Sequence, residues 1–277
     1  MILAGIVLYN PDIDRLKENL SAILKQVDGI ILIDNGSVNT EEINHEILSE
    51  MRCECFYNKN NIGIAAALKQ IMDLAVSRKA EWVLTLDQDS VCMPQLIENY
   101  KRYFSDPSIG AMTCSIEDRN LGHEGVADGV EAVPTCITSG MLIRTSAYLK
   151  TSGYDPFLFI DKVDTDICFS LREQNYNILK INYTGLLHEV GHGRNVRFLG
   201  STYQMYNHPY WRAYYIARNG IYLSKKHPQT YPFKTALSFA VKKIILTGIF
   251  EDDKLRKTLW GIRGIIDGIR GISRVVQ

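Results

Sequence analysis

Three pairs of aspartates in this chain have the spacing D-x-D, which lets two carboxylates act on one ligand. The pairs are Asp12 with Asp14, Asp87 with Asp89, and Asp164 with Asp166. Asp87 and Asp89 directly follow an apolar run, so a buried strand would hold both carboxylates at its end. Oxygen ligands of this kind suit Mg²⁺ or Mn²⁺, which commonly share them with substrate phosphates. Asp12 and Asp14 fall instead at the start of a helical pattern, where carboxylates stabilise the helix dipole.

A second group of acidic residues lies between positions 161 and 166. Asp164 is expected at the N-cap of a helix, where its carboxylate could act as a general base toward a hydroxyl that attacks an activated sugar. Asp166 is interpreted as a first-turn helix residue that favours the dipole. A general base together with a site for a metal and phosphates indicates a transferase.

The segment from His188 to His192 reads H-E-V-G-H and matches the H-E-x-x-H pattern of zinc hydrolases. That chemistry requires a helix that presents both histidines on one face, and a third ligand. Glycines flank or interrupt the segment, and the extended zinc motif of one hydrolase class fails at Asn195 and Phe198. Because of these departures, a zinc hydrolase built on His188, Glu189 and His192 is kept only as the alternative function. A histidine in a loop near the acidic residues could instead bind a metal or a leaving diphosphate.

In the first third of the chain, apolar runs alternate with segments of helical periodicity. The runs cover residues 2–8, 30–33, 53–57 and 82–86. This β-α-β-α-β-α-β order is typical of a parallel sheet with flanking helices. Polar residues follow the runs: Tyr9 and Asn10, Asp34 and Asn35, Asn60 and Asn61, and Asp87 and Asp89. Because ligands bind outside the carboxyl ends of such strands, all four groups are expected at one binding edge.

The middle of the chain has a different pattern. Strands are predicted at residues 110–116 and 133–143, and helices at residues 145–152 and 164–174. This part is interpreted as α+β material that extends the same sheet.

From His208 onward the periodicity is helical, and we place a domain boundary near Gly200. The chain would then consist of an α/β domain at residues 1–200 and a helical region at residues 201–277. Residues 225–277 hold eleven Lys and Arg against four Asp and Glu, a net charge of +7. Four glycines argue against a stiff helix at the end of the chain, at positions 261, 264, 268 and 271.

The composition is that of a globular, enzyme-sized chain, with 277 residues of which 46% are hydrophobic and 22% charged. Thirty-one basic and thirty-one acidic side chains cancel, so nucleic acid is not expected as a partner. No run reaches the roughly 18 apolar residues of a membrane-spanning helix, and no secretory signal is recognised, so a cytoplasmic location is expected. The six cysteines are scattered, which indicates buried thiols rather than disulfides or a thiolate metal site.

Several segments together resemble one enzyme family across about residues 1–225. They are Val7 to Pro11, Ile33 to Ser37, Asn61 to Ala67, Leu86 to Ser90, Phe159 to Asp161, Asp164 to Asp166, and Tyr210 to Asn219. The set is similar to inverting family 2 glycosyltransferases of the GT-A fold, and more narrowly to their bacterial rhamnosyltransferase branch. The resemblance implies an α/β fold of the GT-A type, a mixed sheet flanked by helices, with a C-terminal helical extension.

The resemblance also implies how a nucleoside diphosphate sugar would bind. Tyr9 and Asp34 would contact the base, and Asn10 belongs to the same nucleotide-binding group. Asn61 and Gly63 would line the ribose and phosphate side of the donor.

A metal site and a general base follow from the same resemblance. Asp87 would lie near the ribose and the metal, and Asp89 would hold the Mg²⁺ or Mn²⁺ ion. His188 and His192 match a region that often carries a histidine near the metal and the diphosphate. A metal there neutralises the charge that builds on the leaving diphosphate.

By the same resemblance, Asp164 matches the acid that deprotonates the acceptor hydroxyl, with Asp161 as the second candidate. Attack from the face opposite the leaving group would invert the anomeric carbon. Two positions depart from the family pattern: Lys69 stands where Asn is frequent, and Val163 stands where many members have Glu. Because Val163 replaces that Glu just before Asp164, the match of Asp164 is weaker and Asp161 gains weight as the alternative base.

The resemblance favours dTDP-L-rhamnose as the donor, and UDP-sugars remain open. The acceptor would be a saccharide or a lipid-linked saccharide in cell-surface polysaccharide synthesis. The basic C-terminal region would then either touch the membrane surface or pack on the catalytic domain or on a second subunit. A nucleotide-sugar-binding protein without turnover is the third hypothesis.

Overall fold

The computed structural model describes residues 1–49, 51–118, 129–188 and 193–276. The chain forms two compact units. The sheet unit comprises Met1–Pro156 and Val163–Glu189, and the helical unit comprises Phe157–Lys162 and Val190–Gln277. The predicted division of the sequence into residues 1–200 and 201–277 stays a prediction.

The first half of the sheet unit alternates strands with helices. Its strands are β1 (Ile2–Leu8), β2 (Gly29–Asp34), β3 (Glu54–Tyr57) and β4 (Trp82–Leu86). Its helices are α1 (Ile13–Ile23), α2 (Thr40–Glu42), which continues in π-helical turns over Ile43–Leu48, and α3 (Ile64–Ser77). β1 lies between β2 and β4 and pairs with both in parallel, and β3 pairs in parallel with β2. The predicted β-α-β-α-β-α-β order is confirmed.

The start of α1 shows why the pair Asp12 and Asp14 is structural. Asp12 is the N-cap, and its Oδ1 accepts a hydrogen bond from the backbone N–H of Arg15 at 3.0 Å. Asp14 lies in the first turn, where its charge favours the positive end of the helix dipole. The interpretation of this pair as helix-start residues is confirmed.

The second half of the sheet unit completes a mixed sheet. Its strands are β5 (Val91–Cys92), β6 (Ile109–Asp118), β7 (Val130–Ala132), β8 (Met141–Arg144) and β9 (Asn177–His188). Its helices are α4 (Leu96–Lys101), α5 (Thr145–Tyr148) and α6 (Val163–Glu173). The strand order is β3-β2-β1-β4-β8-β6-β9-β5, with β7 paired to β9. β8 runs antiparallel to β4, and the predicted extension of the same sheet is confirmed.

The predicted strand over residues 133–143 is wrong for residues 133–140 and confirmed for residues 141–143. β7 ends at Ala132 and β8 begins only at Met141. Pro134 has no N–H to donate to a neighbouring strand. Gly140 has φ +81°, a left-handed conformation that interrupts an extended run. The segment between the two strands is therefore a loop, and its hydroxyls contribute to the candidate site below.

The helical unit contains a β-hairpin and a group of long helices. The hairpin consists of β10 (Arg194–Phe198) and β11 (Ser201–Met205), which pair antiparallel. The helices are α7 (Tyr210–Lys226), α8 (Phe233–Phe250) and α9 (Lys254–Arg270). The predicted helical pattern from His208 onward is confirmed, whereas the hairpin was not predicted. In the described part of the chain, no helix is both long and apolar enough to cross a membrane.

The expectation that glycines prevent a stiff final helix is wrong, because α9 runs without a break for 17 residues. Its glycines face the other helices. A Cβ on Gly264 would lie 2.4 Å from the carbonyl oxygen of Tyr214, and one on Gly268 would lie 2.7 Å from that of Arg218. The missing side chains let α9 approach the backbone of α7, and this packing offsets the low helix propensity of glycine.

We expect Gly264→Ala to lower the free energy of unfolding by about 1–3 kcal/mol, because the added methyl group has no space between α9 and α7. Gly220→Ala in α7 is the matched control. Its Cβ would meet only the Tyr231 hydroxyl at 4.0 Å, so the better helix propensity of Ala should leave stability unchanged or raise it by up to about 1 kcal/mol. Urea unfolding followed by circular dichroism measures both values, and equal effects of the two substitutions would contradict the packing argument.

Candidate functional site

The loops that follow β1 and β4 are joined by the side chain of Gln88. The backbone N–H of Tyr9 donates to Gln88 Oε1 at 2.9 Å, and Gln88 Nε2 donates back to the Tyr9 carbonyl at 3.4 Å. The side chain of Tyr9 remains 45% exposed. Its aromatic ring is therefore held by a fixed backbone at the edge of the sheet, where a planar ligand could stack on it.

The loops that follow β1 and β2 are joined by Asn10 and Ser37. The N–H of Asn10 donates to Ser37 Oγ at 2.9 Å, and Asn10 Oδ1 accepts from the N–H of Val38 at 2.8 Å. Asp34 is only 1% exposed, and its two carboxylate oxygens accept from the Ser37 N–H at 3.1 Å and from Thr40 Oγ1 at 2.9 Å. The carboxylate of Asp34 therefore shapes the turn between β2 and α2.

A cluster of side-chain amides connects the loops after β2 and β3. Asn35 Nδ2 donates to Asn61 Oδ1 at 3.0 Å, while Asn35 Oδ1 accepts from Asn58 Nδ2 and from the N–H of Ile62, both at 3.2 Å. Asn58 and Gln70 exchange a reciprocal pair of hydrogen bonds at 3.0 Å. Asn35 is 2% exposed, so these bonds replace water contacts that a buried amide has lost.

Two glycines allow these loops to approach one another. Gly63 has φ +85° and ψ 154°, a conformation that other residues hardly adopt, and its N–H donates to Asn61 Oδ1 at 2.9 Å. Gly36 has φ +82°, and a Cβ there would lie 2.8 Å from the carbonyl carbon of Asn60. The chain thus places Asn61 and Gly63 at the start of α3, beside the turn that Asp34 shapes.

The turn that carries the central acidic pair is fixed by buried polar side chains. Asn19 Nδ2 donates to the Asp87 carbonyl at 2.7 Å, and the Asp87 N–H donates to Ser139 Oγ at 3.1 Å. Ser139 Oγ donates in turn to Ser90 Oγ at 2.7 Å. The side chains of Asp87 and Asp89 are partly exposed. Two carboxylates therefore stand on a rigid turn at the carboxyl end of β4.

Strand pairing places His188 beside this turn. β5 and β9 are antiparallel, with Val91 opposite Leu187. Continuing that register by one residue places the backbone of His188 opposite Ser90, next to Asp89 in the sequence. The carboxylates of Asp87 and Asp89 are oxygen ligands of the kind that Mg²⁺ or Mn²⁺ prefers.

The other metal predictions have separate outcomes. His192 and Glu189 lie outside the described residues. Within the described residues, no group of three or more His, Cys, Asp or Glu side chains is arranged to hold a metal. The zinc-hydrolase alternative is wrong, because it requires His188 on a helix, and His188 is the last residue of strand β9.

Asp164 lies at the beginning of α6, one residue after Val163, with which the helix starts. The predicted N-cap position is therefore wrong by two residues, and Asp164 stands in the first turn. Its Oδ1 accepts hydrogen bonds from the Thr165 N–H at 2.6 Å and from Thr165 Oγ1 at 3.2 Å. The side chain is partly exposed, so its carboxylate can reach a ligand hydroxyl.

Asp161 has a different environment in the helical unit. Arg212 of α7 donates to both of its carboxylate oxygens, at 2.6 Å and 3.3 Å. The residues Phe159, Asp161 and Lys162 all have positive φ, and the amide nitrogen of Asn219 donates to the carbonyls of residues 158, 160 and 161. Asp161 is thus one member of a loop that α7 holds in an uncommon conformation.

Arg218 completes the contacts between α7 and this loop. Its side chain is fully buried, and its Nη2 donates to the carbonyls of Phe157 at 2.5 Å and Leu158 at 3.0 Å. The guanidinium also lies over the rings of Phe157 and Tyr215, at 4.6 Å and 4.8 Å from their centroids. Burial lowers the pKa of Arg218, and the carbonyls and aromatic rings stabilise the positive charge that it keeps.

Two thiols next to site carboxylates are kept neutral by their surroundings. Burial raises the pKa of Cys55, and the nearby charge of Asp34 adds to the increase. A hydrogen bond with Cys168 and burial raise the pKa of Cys136 well above its ordinary value, with a contribution from the charge of Asp164. Both thiols are therefore protonated at neutral pH, and neither is a ready nucleophile.

Sequence reasoning missed several of the residues that fix the site. Gln88 stands between two aspartates that were singled out, and it is the residue that connects two loops. Asn19 lies on the apolar face of α1, between Leu16 and Leu20, and is fully buried. A polar residue on an otherwise apolar helix face was the available signal. Ser139 gave none, because its contact depends on the loop before β8.

The comparisons with known proteins agree with this geometry. Residues 4–126 match the family model described as "Glycosyl transferase family 2". A dTDP-rhamnosyl transferase, RfbF from Shigella flexneri, is 26% identical in an alignment 294 positions long, which covers 98% of this chain and 96% of that protein. These findings support a glycosyltransferase whose residues 4–126 match family 2. The predicted family resemblance is confirmed.

Solved structures of two other proteins share the fold of this glycosyltransferase. Residues 1–349 of TarS from S. aureus superpose with a TM-score of 0.63 at 11% identity, covering 97% of this chain and 80% of that one. GalNAc-T7, in a structure with UDP, GalNAc and Mn²⁺, gives a TM-score of 0.63 at 14% identity and covers 95% and 55% of the two chains. The predicted GT-A fold, a mixed sheet with flanking helices and a C-terminal helical region, is confirmed.

We expect Asn35→Ala to lower the free energy of unfolding by about 2–4 kcal/mol, because it removes three hydrogen bonds of the buried Asn35 amide and takes away the partner of the Ile62 N–H. Asn99→Ala is the control, since Asn99 lies on the surface of α4 and makes one hydrogen bond to the Gln95 carbonyl. The control should change stability by less than about 0.5 kcal/mol. Thermal unfolding of both variants tests this, and a small effect of Asn35→Ala would contradict the bridging role.

Proposed function

We propose that this glycosyltransferase moves L-rhamnose from dTDP-L-rhamnose to a hydroxyl of a saccharide or lipid-linked saccharide, with inversion of the anomeric carbon. The observation that carries the proposal is the similarity to the dTDP-rhamnosyl transferase RfbF along nearly the whole of both chains. A cell-surface polysaccharide is the proposed product. UDP-sugars are the competing donors, because GalNAc-T7, which shares the fold, was solved with UDP.

The edge of the sheet is the proposed nucleotide site. Tyr9 offers an exposed ring to the base, and Gln88 and Ser37 hold the backbone on either side of it. Asp34 supports the base-binding turn through its hydrogen bonds to Ser37 and Thr40. Asn61 and Gly63 stand at the start of α3, where backbone N–H groups attract the ribose-phosphate side of the donor.

The proposed metal site consists of Asp87, Asp89 and His188. A bound Mg²⁺ or Mn²⁺ ion would neutralise the charge that develops on the diphosphate as it leaves. The protein's part is to hold two carboxylates on a turn that Asn19 and Ser139 make rigid, so that they need not reorganise during the reaction.

Asp164 is the proposed general base. Its carboxylate takes the proton of the acceptor hydroxyl while the hydroxyl oxygen attacks the anomeric carbon. The bond from that carbon to the diphosphate breaks on the opposite face, and dTDP leaves with the bonding electron pair. Asp161 is the second candidate, but both of its oxygens already accept hydrogen bonds from Arg212, which favours Asp164.

Asp164→Asn should retain donor binding and lose transfer by about 10²- to 10⁴-fold, because the amide cannot accept the proton. Asp161→Asn is the comparison. It keeps the shape of the side chain and weakens the contact with Arg212, so it should mainly lower thermal stability. Rates are measured by release of dTDP in the presence of acceptor extracts, and near-normal turnover of Asp164→Asn would refute the base assignment.

Titration calorimetry with dTDP-L-rhamnose, UDP-glucose and UDP-N-acetylglucosamine, each with and without Mg²⁺ or Mn²⁺, tests the donor and the metal. We expect selective binding of dTDP-L-rhamnose, strengthened by the metal, and loss of the metal effect in Asp89→Ala. Asp12→Ala is a control carboxylate away from the proposed metal site and should keep the metal effect. Preference for a UDP-sugar would overturn the donor, and selective binding without turnover on any acceptor would favour a binding protein.

A further inference from the structure

One face of α9 carries a continuous row of exposed apolar side chains. The row consists of Leu255, Leu259, Ile262, Ile266 and Ile269, whose exposed fractions are 75%, 57%, 44%, 42% and 46%. Their spacing of four, three, four and three residues places them on one side of the helix. The glycines at 261, 264 and 268 lie on the opposite side, which packs on α7 and α8. The row is therefore the surface of α9 that faces away from its own unit.

Basic residues accompany this apolar row. Arg256, Arg263 and Arg270 recur every seven residues, which places all three along the same flank of the row. Arg256 lies over the ring of Tyr210 at 3.6 Å, and Arg263 lies over the ring of Trp260 at 5.3 Å. These contacts hold the guanidinium groups close to the helix.

Acidic side chains do not balance this charge on either helix. The one acidic residue in the sequence of α9, Asp267, is buried and accepts hydrogen bonds from the Tyr214 hydroxyl and from Arg274 Nε. The sequence of α8 contains no Asp or Glu. It exposes Val241, Ile245 and Ile249 together with lysines, so α8 has the same combination of apolar and basic groups.

We propose that the exposed faces of α8 and α9 form a docking surface for an anionic lipid bilayer, with the apolar row at the level of the headgroups and acyl chains. Apolar residues flanked by Lys and Arg on a helix are what an interfacial membrane helix requires. Anionic headgroups complement the arginine flank. A second copy that met this surface with its own would oppose these arginines with like charges, because the exposed carboxylates nearest in the sequence, Asp252 and Asp253, lie in the turn before α9 and not along its length. The proposal does not depend on which sugar the enzyme transfers.

Sedimentation of the full chain with two kinds of vesicle tests the proposal. One kind is phosphatidylcholine alone, and the other contains about a third phosphatidylglycerol. We expect the protein to pellet with the anionic vesicles, to remain in solution with the neutral ones, and to dissociate as salt is raised. The double variant Leu259→Glu, Ile266→Glu should weaken anionic binding about tenfold or more, because it replaces apolar surface with negative charge.

Two matched controls separate this surface from general effects. Leu149→Glu changes a leucine that is 60% exposed in the sheet unit and should leave vesicle binding intact. Arg256→Gln, Arg263→Gln and Arg270→Gln should each weaken binding about fivefold. Arg102→Gln, at an exposed position after α4, should not. Thermal unfolding and donor titration of each variant show that it remains folded and able to bind donor.

Three results would overturn the proposal. The wild-type protein would remain in solution with both kinds of vesicle. Alternatively, the Leu259→Glu, Ile266→Glu variant would pellet as well as the wild type, which would place membrane contact elsewhere. Finally, analytical ultracentrifugation would find that the wild type is a dimer and the Leu259→Glu, Ile266→Glu variant a monomer, while the wild type does not bind vesicles. The surface would then be an interface between copies.

Discussion

Parallel pairing of β1 with β2 and β4 is the constraint on which the candidate site depends. It directs the carboxyl ends of three strands to one edge, so the loops that follow them must share a small space. The polar groups of these loops lose water as they converge, and they satisfy one another instead. Asn35, Gln88 and Ser37 are the residues that make these connections. These hydrogen bonds join the loops to one another, so the loops are positioned as a set.

The helical unit also holds the short segment 157–162, which is irregular after the 3-10 turn at Pro156–Leu158. Several backbone carbonyls of this segment are not paired within a helix or a sheet, so they need side-chain donors. Arg218 and Asn219, which are adjacent in α7, donate to four of them, and Arg212 pairs with the carboxylate of Asp161. α9 packs on α7 through its glycines, so it supports the helix that carries these donors.

The sequence predicts the elements whose hydrophobic pattern is strong, and it predicts the site only as far as those elements position it. β1 to β4 are short apolar runs followed by polar turns, so their order and the binding edge could be inferred. The hairpin of β10 and β11 could not be inferred, because each strand is only five residues long and its mixture of polar and apolar residues resembles that of a loop. Gln88 and Asn219 could not be assigned roles either, since each acts on a backbone carbonyl or N–H distant in the sequence. Helix propensity wrongly predicted that the glycines would break α9, because their packing on α7 is a tertiary effect that propensity does not include.

The hydrogen bonds from α7 to residues 157–162 also constrain the order in which the chain acquires its structure during synthesis. The segment emerges from the ribosome roughly sixty residues before Asn219 and Arg218, whose side chains it needs for its hydrogen bonds. Until α7 has been made, the hydrogen bonds from Asn219 that hold this segment, with its three residues of positive φ, cannot form. The segment that precedes Asp164 in the chain therefore reaches its final conformation only after α7 has been synthesised.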